Sequence, residues 1–494
     1  MNKFFISTAI DYVNASPHLG HALEKIFADV IARYRRPSGE EVFFLTGTDE
    51  NSLKNVRAAE KEKIPVKELV DKYAKKFYEL KETLSLSFDD FIRTTEERHI
   101  FGSQKLWLAC RDDIYKKSYQ GLYCVDCEKF YKEKELSKGF CPDHQTKPEL
   151  IEEENYFFRL SKYQEQLRKI IEKDELKIIP QSRKNEVLGF INQGLEDICI
   201  SRSTQRARSW GIDVPGDQSK KIWVWFDALS SYINALGYGE NSKKFQECWQ
   251  DNENKLHVIG KDILRFHAVY WPAILLSAKL SLPKVIFAHG FLTVAGQKMS
   301  KSLGNIIDPF ELVKKYGSDS VRYFLLAEFP ATEDGDFTYE KFEARYNADL
   351  ANGIGNLFER VFKMAKNADL RGLNKSYEAK LRKICCDREI LIFQEKIQAA
   401  YSEKMNNYQL YETLSYVFSF AKKLDQYINQ KEPWRLIQNK NPEAEKILTT
   451  LIFGVKNIIS WLKPFMPSKM EEAEDYLKNL GPTSKKLNLF PRLR

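Results

Sequence analysis

The 494-residue chain is 43% hydrophobic and 30% charged, with a net charge of +8, the composition of an ordinary globular protein of two to four domains. It contains no run of about 18 uncharged apolar residues, which excludes a membrane-spanning helix, and eight cysteines in so long a chain exclude a disulfide framework. From Ala351 onward there are 25 Lys/Arg against 16 Asp/Glu, and before it 52 against 53, so the positive excess lies in the last third, where it predicts a docking surface for a polyanion. No basic-then-apolar leader precedes Phe4, and a soluble cytosolic protein is expected.

Residues 1 to about 115 alternate strand-like and helix-like runs. Phe4-Phe5-Ile6-Ser7-Thr8-Ala9 is β-like, and Pro17-His18-Leu19-Gly20-His21 then opens a helix-like run from Ala22 to Tyr34. Strand, glycine-containing turn and helix together let a nucleotide approach the backbone at a positive helix end. Val42 to Thr46 predicts a short strand ending at Gly47-Thr48-Asp49-Glu50, where a parallel sheet offers ligand-binding groups. Helical periodicity covers Val66 to Leu84.

A Cys-rich, turn-rich insert then breaks the pattern. Cys124-x-x-Cys127 is followed, after thirteen residues, by Cys141-x-x-His144, the soft four-ligand set of a closed, structural zinc site. Cys110, Cys199, Cys248, Cys385 and Cys386 lack that spacing and read as small apolar fillers. Strand-like character returns at Ile222-Trp223-Val224-Trp225-Phe226. Lys255 to Gly260 and Lys284 to Ala288 predict further buried strands with a helix between them. The expected fold is α/β, one doubly wound sheet interrupted by an inserted domain.

Lys298-Met299-Ser300-Lys301-Ser302 follows a turn at Gly296, and its two lysines are suited to bring point charges onto a polyphosphate. After Asp336 the chain is amphipathic and helical almost to its end, broken at Pro433, Pro464 and Pro467.

The two phosphate-type elements, in this order and about 280 residues apart, resemble the paired ATP motifs of class I aminoacyl-tRNA synthetases. The residues around them resemble the methionyl-tRNA synthetases, from Phe4 to about Pro467, and the insert resembles the single-knuckle kind. That likeness implies a Rossmann-type catalytic domain split into 1–115 and 216–325 by a zinc-bearing connective insert at 116–215. A stem-contact linker at 326–350 and an all-α anticodon-binding domain at 351–494 would follow.

The resemblance assigns ATP binding to His18, Gly20, His21, His289, Lys298 and Lys301, with His18, His21, Lys298 and Lys301 as the catalytic set. Ala9, Ile10, Tyr12, Asp49, Trp225, Ala228, Leu229, Tyr232, Ile263 and His267 would hold methionine, Asp49 taking its ammonium group. Cys124, Cys127, Cys141 and His144 would bind one zinc. Asn356, Arg360 and Trp434 would read the anticodon. ATP with Mg²⁺, L-methionine and tRNA(Met), initiator included, are the implied substrates of a cytoplasmic monomer that needs no membrane.

Three departures from the family pattern fall near the pocket: Asn51-Ser52 where His-Gly is usual, Leu229 where proline is frequent, and Asp11 where the residue is usually apolar or proline. Two other readings remain open. One is a class I synthetase for leucine, valine or cysteine, against which the insert of about 100 residues is small for a large editing domain. The other is a non-catalytic, zinc-stabilised RNA-binding paralogue, which would have no need of both phosphate motifs.

Overall fold

The structure is a computed structural model and describes residues 2–124, 129–142, 145–299, 304–367, 387–480, 484 and 486–493. The chain forms two compact units, Met1–Glu82 with Leu86–His289 and Thr83–Ser85 with Gly290–Arg494.

The first unit is built on a parallel sheet. Its strands are β1 (Lys3–Thr8), β2 (Asp11–Tyr12), β3 (Glu41–Asp49) and β4 (Asp90–Arg93), joined later in the chain by three more. Helices α1 (Leu19–Arg35), α2 (Leu53–Glu62), α3 (Val66–Thr83) and α4 (Glu97–Ala109) connect and follow them. An antiparallel sheet comes next, with β5 (Ile114–Cys124) pairing along its length with β7 (Glu149–Phe158) and flanked by β6 (Lys129–Tyr131). The chain then returns to the parallel sheet through α5 (Gln164–Glu172), β8 (Lys177–Ile179) and α6 (Gln181–Asn192). The stretch expected as the connective insert, 116–215, contributes strand β8 to the main sheet. Lys177 followed by only two isoleucines is too short a run to betray that pairing in sequence.

Strand β9 (Ile198–Cys199) completes the antiparallel sheet beside β7. Next, β10 (Ser201–Ser203), β11 (Asp213–Val214) and β12 (Asp217–Ile222) form a small sheet of their own. Helix α7 (Val224–Asn234) follows at once. The strand-like run at 222–226 is thus corrected: the strand ends at Ile222 and the helix is buried on every side, including Trp225, Phe226, Leu229, Tyr232 and Ile233. A helix buried all round and a buried strand present the same unbroken apolar run.

Strands β13 (Lys255–Gly260) and β14 (Val285–His289) complete the parallel sheet, in the order β2-β3-β1-β13-β14-β8 with β4 beside β3. The chain leaves β1 toward β3 on one side and comes back to β13 on the other. That reversal opens a crevice outside the carboxyl ends of β1 and β13, where open α/β sheets bind ligands. Phe5, Leu45, Ile259 and Ile286 from the strands pack in one core with Trp225, Phe226, Trp249 and Trp271. Cys110 and Cys248 lie buried in that core too, as apolar fillers do.

The second unit begins with a hairpin of β15 (Leu292–Val294) and β16 (Gln297–Lys298), with β17 (Gly335–Phe337) parallel to β15. Ala295 and Gly296 both sit at positive φ, 50° and 75°, the two-residue turn that matches strand twist. The Gly296 N–H and the Thr293 hydroxyl donate to one carboxylate oxygen of Asp336, at 2.7 and 2.8 Å. Long helices follow at Asn356–Asn367, Arg388–Asn406, Leu410–Lys431 and Glu443–Leu462. Pro433 and Pro467 open the helices Pro433–Gln438 and Pro467–Lys478, where a missing N–H costs nothing. Arg322, fully buried, donates to the carbonyls of Leu84, Pro464 and Phe465 at 2.8–3.0 Å.

Candidate active site

The carboxyl edge of the parallel sheet gathers most of the residues expected to bind ATP and methionine. Ala9 to Tyr12 leave β1, Asp49 ends β3, His289 ends β14, and Gly260 ends β13 just before Asp262 and Ile263. Tyr12 pairs in register with Asp49, and Gly260 with His289. A Cβ on Gly260 would stand 2.8 Å from the Asp262 carboxylate and 3.9 Å from the His289 ring, so glycine is what lets these groups converge.

His18 is the N-cap of α1, with extended backbone, and its Nδ1 accepts the Gly20 N–H at 3.1 Å. The His21 Nδ1 in turn accepts the His18 N–H at 3.0 Å, and the two rings stack with centroids 3.7 Å apart. Both rings therefore carry their proton on Nε2. Burial, joined by the other histidine for His18 and by Lys25 for His21, pushes each imidazole down to about 3. Each is neutral at physiological pH and offers an Nε2–H beside a helix end whose first turn holds no acidic residue.

The second wall comes from α7 and the turn after β13. The Tyr232 hydroxyl bonds His267 Nε2 at 2.7 Å, while His267 Nδ1 lies 3.0 Å from the Ile263 carbonyl. The carbonyl can only accept, so the proton sits on Nδ1 and Tyr232 donates to Nε2. Burial lowers the His267 imidazole to about 4, which keeps the pair uncharged. Trp225 lies flat on Phe266, centroids 3.7 Å apart, and its buried Nε1–H has no acceptor among the described residues. Ala228 and Leu229 are buried one turn further along α7. The result is an aromatic, nearly chargeless recess of the kind that suits an unbranched, polarizable side chain.

The departures have partners of their own. Asn51 Nδ2 donates to Asp227 at 2.8 Å and to the Thr94 carbonyl at 3.1 Å. Asp227 also meets the His99 ring. Asp11 forms an ion pair with the buried Lys25.

Two groups at the edge escaped sequence reasoning. Glu24 Oε2 lies 3.0 Å from His289 Nε2; its signal was its place three residues after His21, on the same face of α1. His257, in the middle strand β13, lies 2.7 Å from the Ser7 hydroxyl and packs 4.2 Å from the Tyr232 ring. Nothing in the local sequence distinguishes it from a core residue.

Other expected residues belong to other elements or fall outside the described residues. Lys298 ends β16, and Lys301 lies outside the described residues. Cys124 and Cys141 are both buried and share one small cluster with Tyr131, whereas Cys127 and His144 lie outside the described residues. Among the described residues, no group of three or more His, Cys, Asp or Glu could hold a metal ion. Nor, among them, is any helix long and apolar enough to cross a membrane.

On the helix Asn356–Asn367, Arg360 pairs with Asp425 and donates to Asn429 at 2.8 Å. Trp434 lies in the first turn of the short helix Pro433–Gln438 with 42% of its surface exposed, so it is no core tryptophan.

Comparison with known proteins agrees with this geometry. A family model described as tRNA synthetases class I (M) matches residues 4–147 and 141–362, and one for the anticodon-binding domain of tRNA ligase matches 387–489. A methionine–tRNA ligase of Brucella suis is 42% identical over 482 residues, 96% of this chain and 92% of that protein. One from Thermotoga maritima is 42% identical over 95% of this chain and 74% of its own length. Among solved structures, Mycobacterium tuberculosis methionyl-tRNA synthetase in complex with methionyl-adenylate superposes with a TM-score of 0.90, at 35% identity and 100% of both chains. With a parallel sheet whose carboxyl edge carries the phosphate-type turn, and with a family model and relatives that span it, the chain belongs to the class I methionyl-tRNA synthetases.

Proposed function

We propose that the chain condenses L-methionine with ATP to methionyl-adenylate and passes the methionyl group to the 3′-terminal adenosine of tRNA(Met), initiator included. The observation that carries this reading is the convergence, on one carboxyl edge, of the His18–His21 turn and the neutral Tyr232–His267 recess. A methionine carboxylate oxygen attacks the α-phosphorus, the bond to the β-phosphate breaks, and pyrophosphate leaves. A ribose hydroxyl of the tRNA then attacks the carbonyl and AMP departs. No protein nucleophile is required, so the protein contributes positioning and charge.

His18 and His21 hold phosphate oxygens by hydrogen bonds from Nε2, since neither is a cation at neutral pH. Gly20, without a side chain, lets the nucleotide come close to the helix start, and His289, braced by Glu24, faces it from β14. Asp49 takes the methionine ammonium; Ala9, Ile10 and Tyr12 on one side, and Trp225, Ala228, Leu229, Ile263 and the Tyr232–His267 pair on the other, enclose the thioether. Lys298 and Lys301 are the charges that meet the departing pyrophosphate. Mg²⁺ accompanies ATP as its counter-ion.

Cys124 and Cys141, buried in one cluster, suit a thiolate set closed to water, and Cys127 and His144 would complete it. Zinc bound there would tie two turns together and contribute local folding free energy. Metal analysis should find one zinc per chain. Cys124→Ser should release it and make the insert sensitive to protease while the parallel sheet stays folded. Native protein purified without zinc would contradict this.

We read the chain as a cytoplasmic monomer whose helical unit recognises the anticodon through Asn356, Arg360 and Trp434. The exposed indole supports a stacking role, worth about 1 to 3 kcal/mol per base. With ATP and methionine, the native protein should charge tRNA(Met) and leave other tRNAs uncharged. Trp434→Ala should raise the tRNA KM and relax discrimination against altered anticodons, with tRNA-independent pyrophosphate exchange unchanged. Equal loss of exchange and charging would make Trp434 a structural residue.

A further inference from the structure

Asp11, one of the three departures, faces His21. Its Oδ1 lies 3.8 Å from His21 Nε2, and its Oδ2 is bonded to the Nζ of Lys25, whose side chain is 1% exposed. Lys25 and His21 are four residues apart on α1, hence on one face. Both also lie against Phe77 of α3, the His21 ring at 5.1 Å and the Lys25 ammonium at 5.8 Å from its centroid. The charged or titratable groups around His21 are therefore Asp11 from β2 and Lys25 and His18 from α1, with His289 of β14 acting on Asp11.

We propose that Asp11 and Lys25 are positioning residues for the His21 imidazole, forming a neutral ion pair that orients its Nε2–H while cancelling each other's charge beside the triphosphate site. The proposal rests on the phosphate-binding role read for the His18–His21 turn. Three facts carry it. His21 Nδ1 is already committed as acceptor to the His18 N–H, so the ring has a single donor, and Asp11 is the carboxylate nearest to that donor. A lone carboxylate there would repel a triphosphate. A lone buried ammonium would be an uncompensated charge. The pair keeps the carboxylate from repelling the triphosphate and the ammonium from standing uncompensated, while burial keeps the ring neutral.

Removing one member must therefore be worse than removing both. In Lys25→Met, Asp11 loses the ammonium that opposes the upward pull of burial on its carboxyl; where it is ionised its uncancelled charge favours the His21 imidazolium, so the imidazole pKa rises. As pH falls through that raised value, Nδ1 gains a proton, can no longer accept from the His18 N–H, and the turn loses its cap. Activity is thus kept at the higher pH and lost toward acid. In Asp11→Asn/Lys25→Met no charge remains, the imidazole stays neutral, and this acid loss disappears.

The test is methionine-dependent ATP–pyrophosphate exchange by the full chain across about pH 5 to 8. It is paired with NMR titration of the histidine rings and a thermal melt of each variant. Lys25→Met should raise the ATP KM about tenfold with a smaller change in kcat. It should also add an acid limb absent from the native protein, with an imidazole titrating at the same pH. The double variant should recover most of the ATP affinity and lose the limb. The proposal is overturned if Lys25→Met keeps the native pH profile, or if the double variant is as impaired as Lys25→Met. Should Lys25→Met melt too low for assay, Asp11→Asn decides by itself. An acid limb there overturns the proposal, because no carboxylate remains to raise the ring, and its absence with a raised ATP KM supports it. A native protein without exchange activity would instead defeat the phosphate-binding reading, which keeps the two failures distinct.

Discussion

Lys301→Ala is expected to lower the rate of methionyl-adenylate formation at saturating substrates by about 100-fold or more, the usual cost of removing one preorganised transition-state contact, while methionine affinity stays near its native value. Negative charge accumulates on the pyrophosphate only as its bond to the α-phosphorus breaks. A lysine that meets it there therefore contributes more to the transition state than to the bound substrates. His18 and His21 cannot take over, because both are held neutral. Single-turnover adenylate formation, with methionine binding measured alongside, checks this. An unchanged rate with weakened methionine binding would move Lys301 out of the chemistry and into the pocket.

Arg322→Met is expected to unfold the second unit well below the native melting temperature. Arg322 is fully buried and its guanidinium satisfies three main-chain carbonyls, those of Leu84, Pro464 and Phe465. Methionine fills a similar volume but donates nothing. Each stranded carbonyl costs about 1–3 kcal/mol, so the loss is a large part of an ordinary domain's stability. Lysine, with the same charge but one nitrogen, should recover only part of it. Calorimetry should resolve an early transition in the variant. A native-like melt would mean that the helix ends at Pro464 and Phe465 find other donors without cost.

Arg322 also shows where the sequence was silent. Nothing near Ser318–Ala327 distinguishes a buried arginine from a surface one, because its three acceptors are main-chain atoms from distant segments. By contrast, the parallel strands were legible because burial on both faces leaves continuous apolar runs. Lys255–Gly260 coincides with the expected strand, and Val285–His289 lies within one residue of it. The same logic failed at Trp223 to Phe226, since a helix buried on all sides gives an equally unbroken run.

The site was legible where a short motif carries its own chemistry. His18-Leu19-Gly20-His21 is a helix start whose two histidines cap the backbone within four residues, a local arrangement. Glu24–His289, Asp11–Lys25 and Ser7–His257 were not legible. Each pair joins segments that only the sheet order brings together, or that only the side-chain directions on α1 reveal. Asn51, by sequence merely a departure, is explained by its bond to Asp227 in the first turn of α7. It ties the end of β3 to the helix that carries Trp225 and Tyr232.

Amino-acid-dependent ATP–pyrophosphate exchange, run without tRNA, tests the central claim most directly. Radiolabelled pyrophosphate should enter ATP when methionine is supplied. It should not do so with leucine, valine or cysteine, because the recess around the Tyr232–His267 pair is aromatic and uncharged. Exchange driven by one of those amino acids in preference to methionine, or no exchange with any of them, would contradict the account.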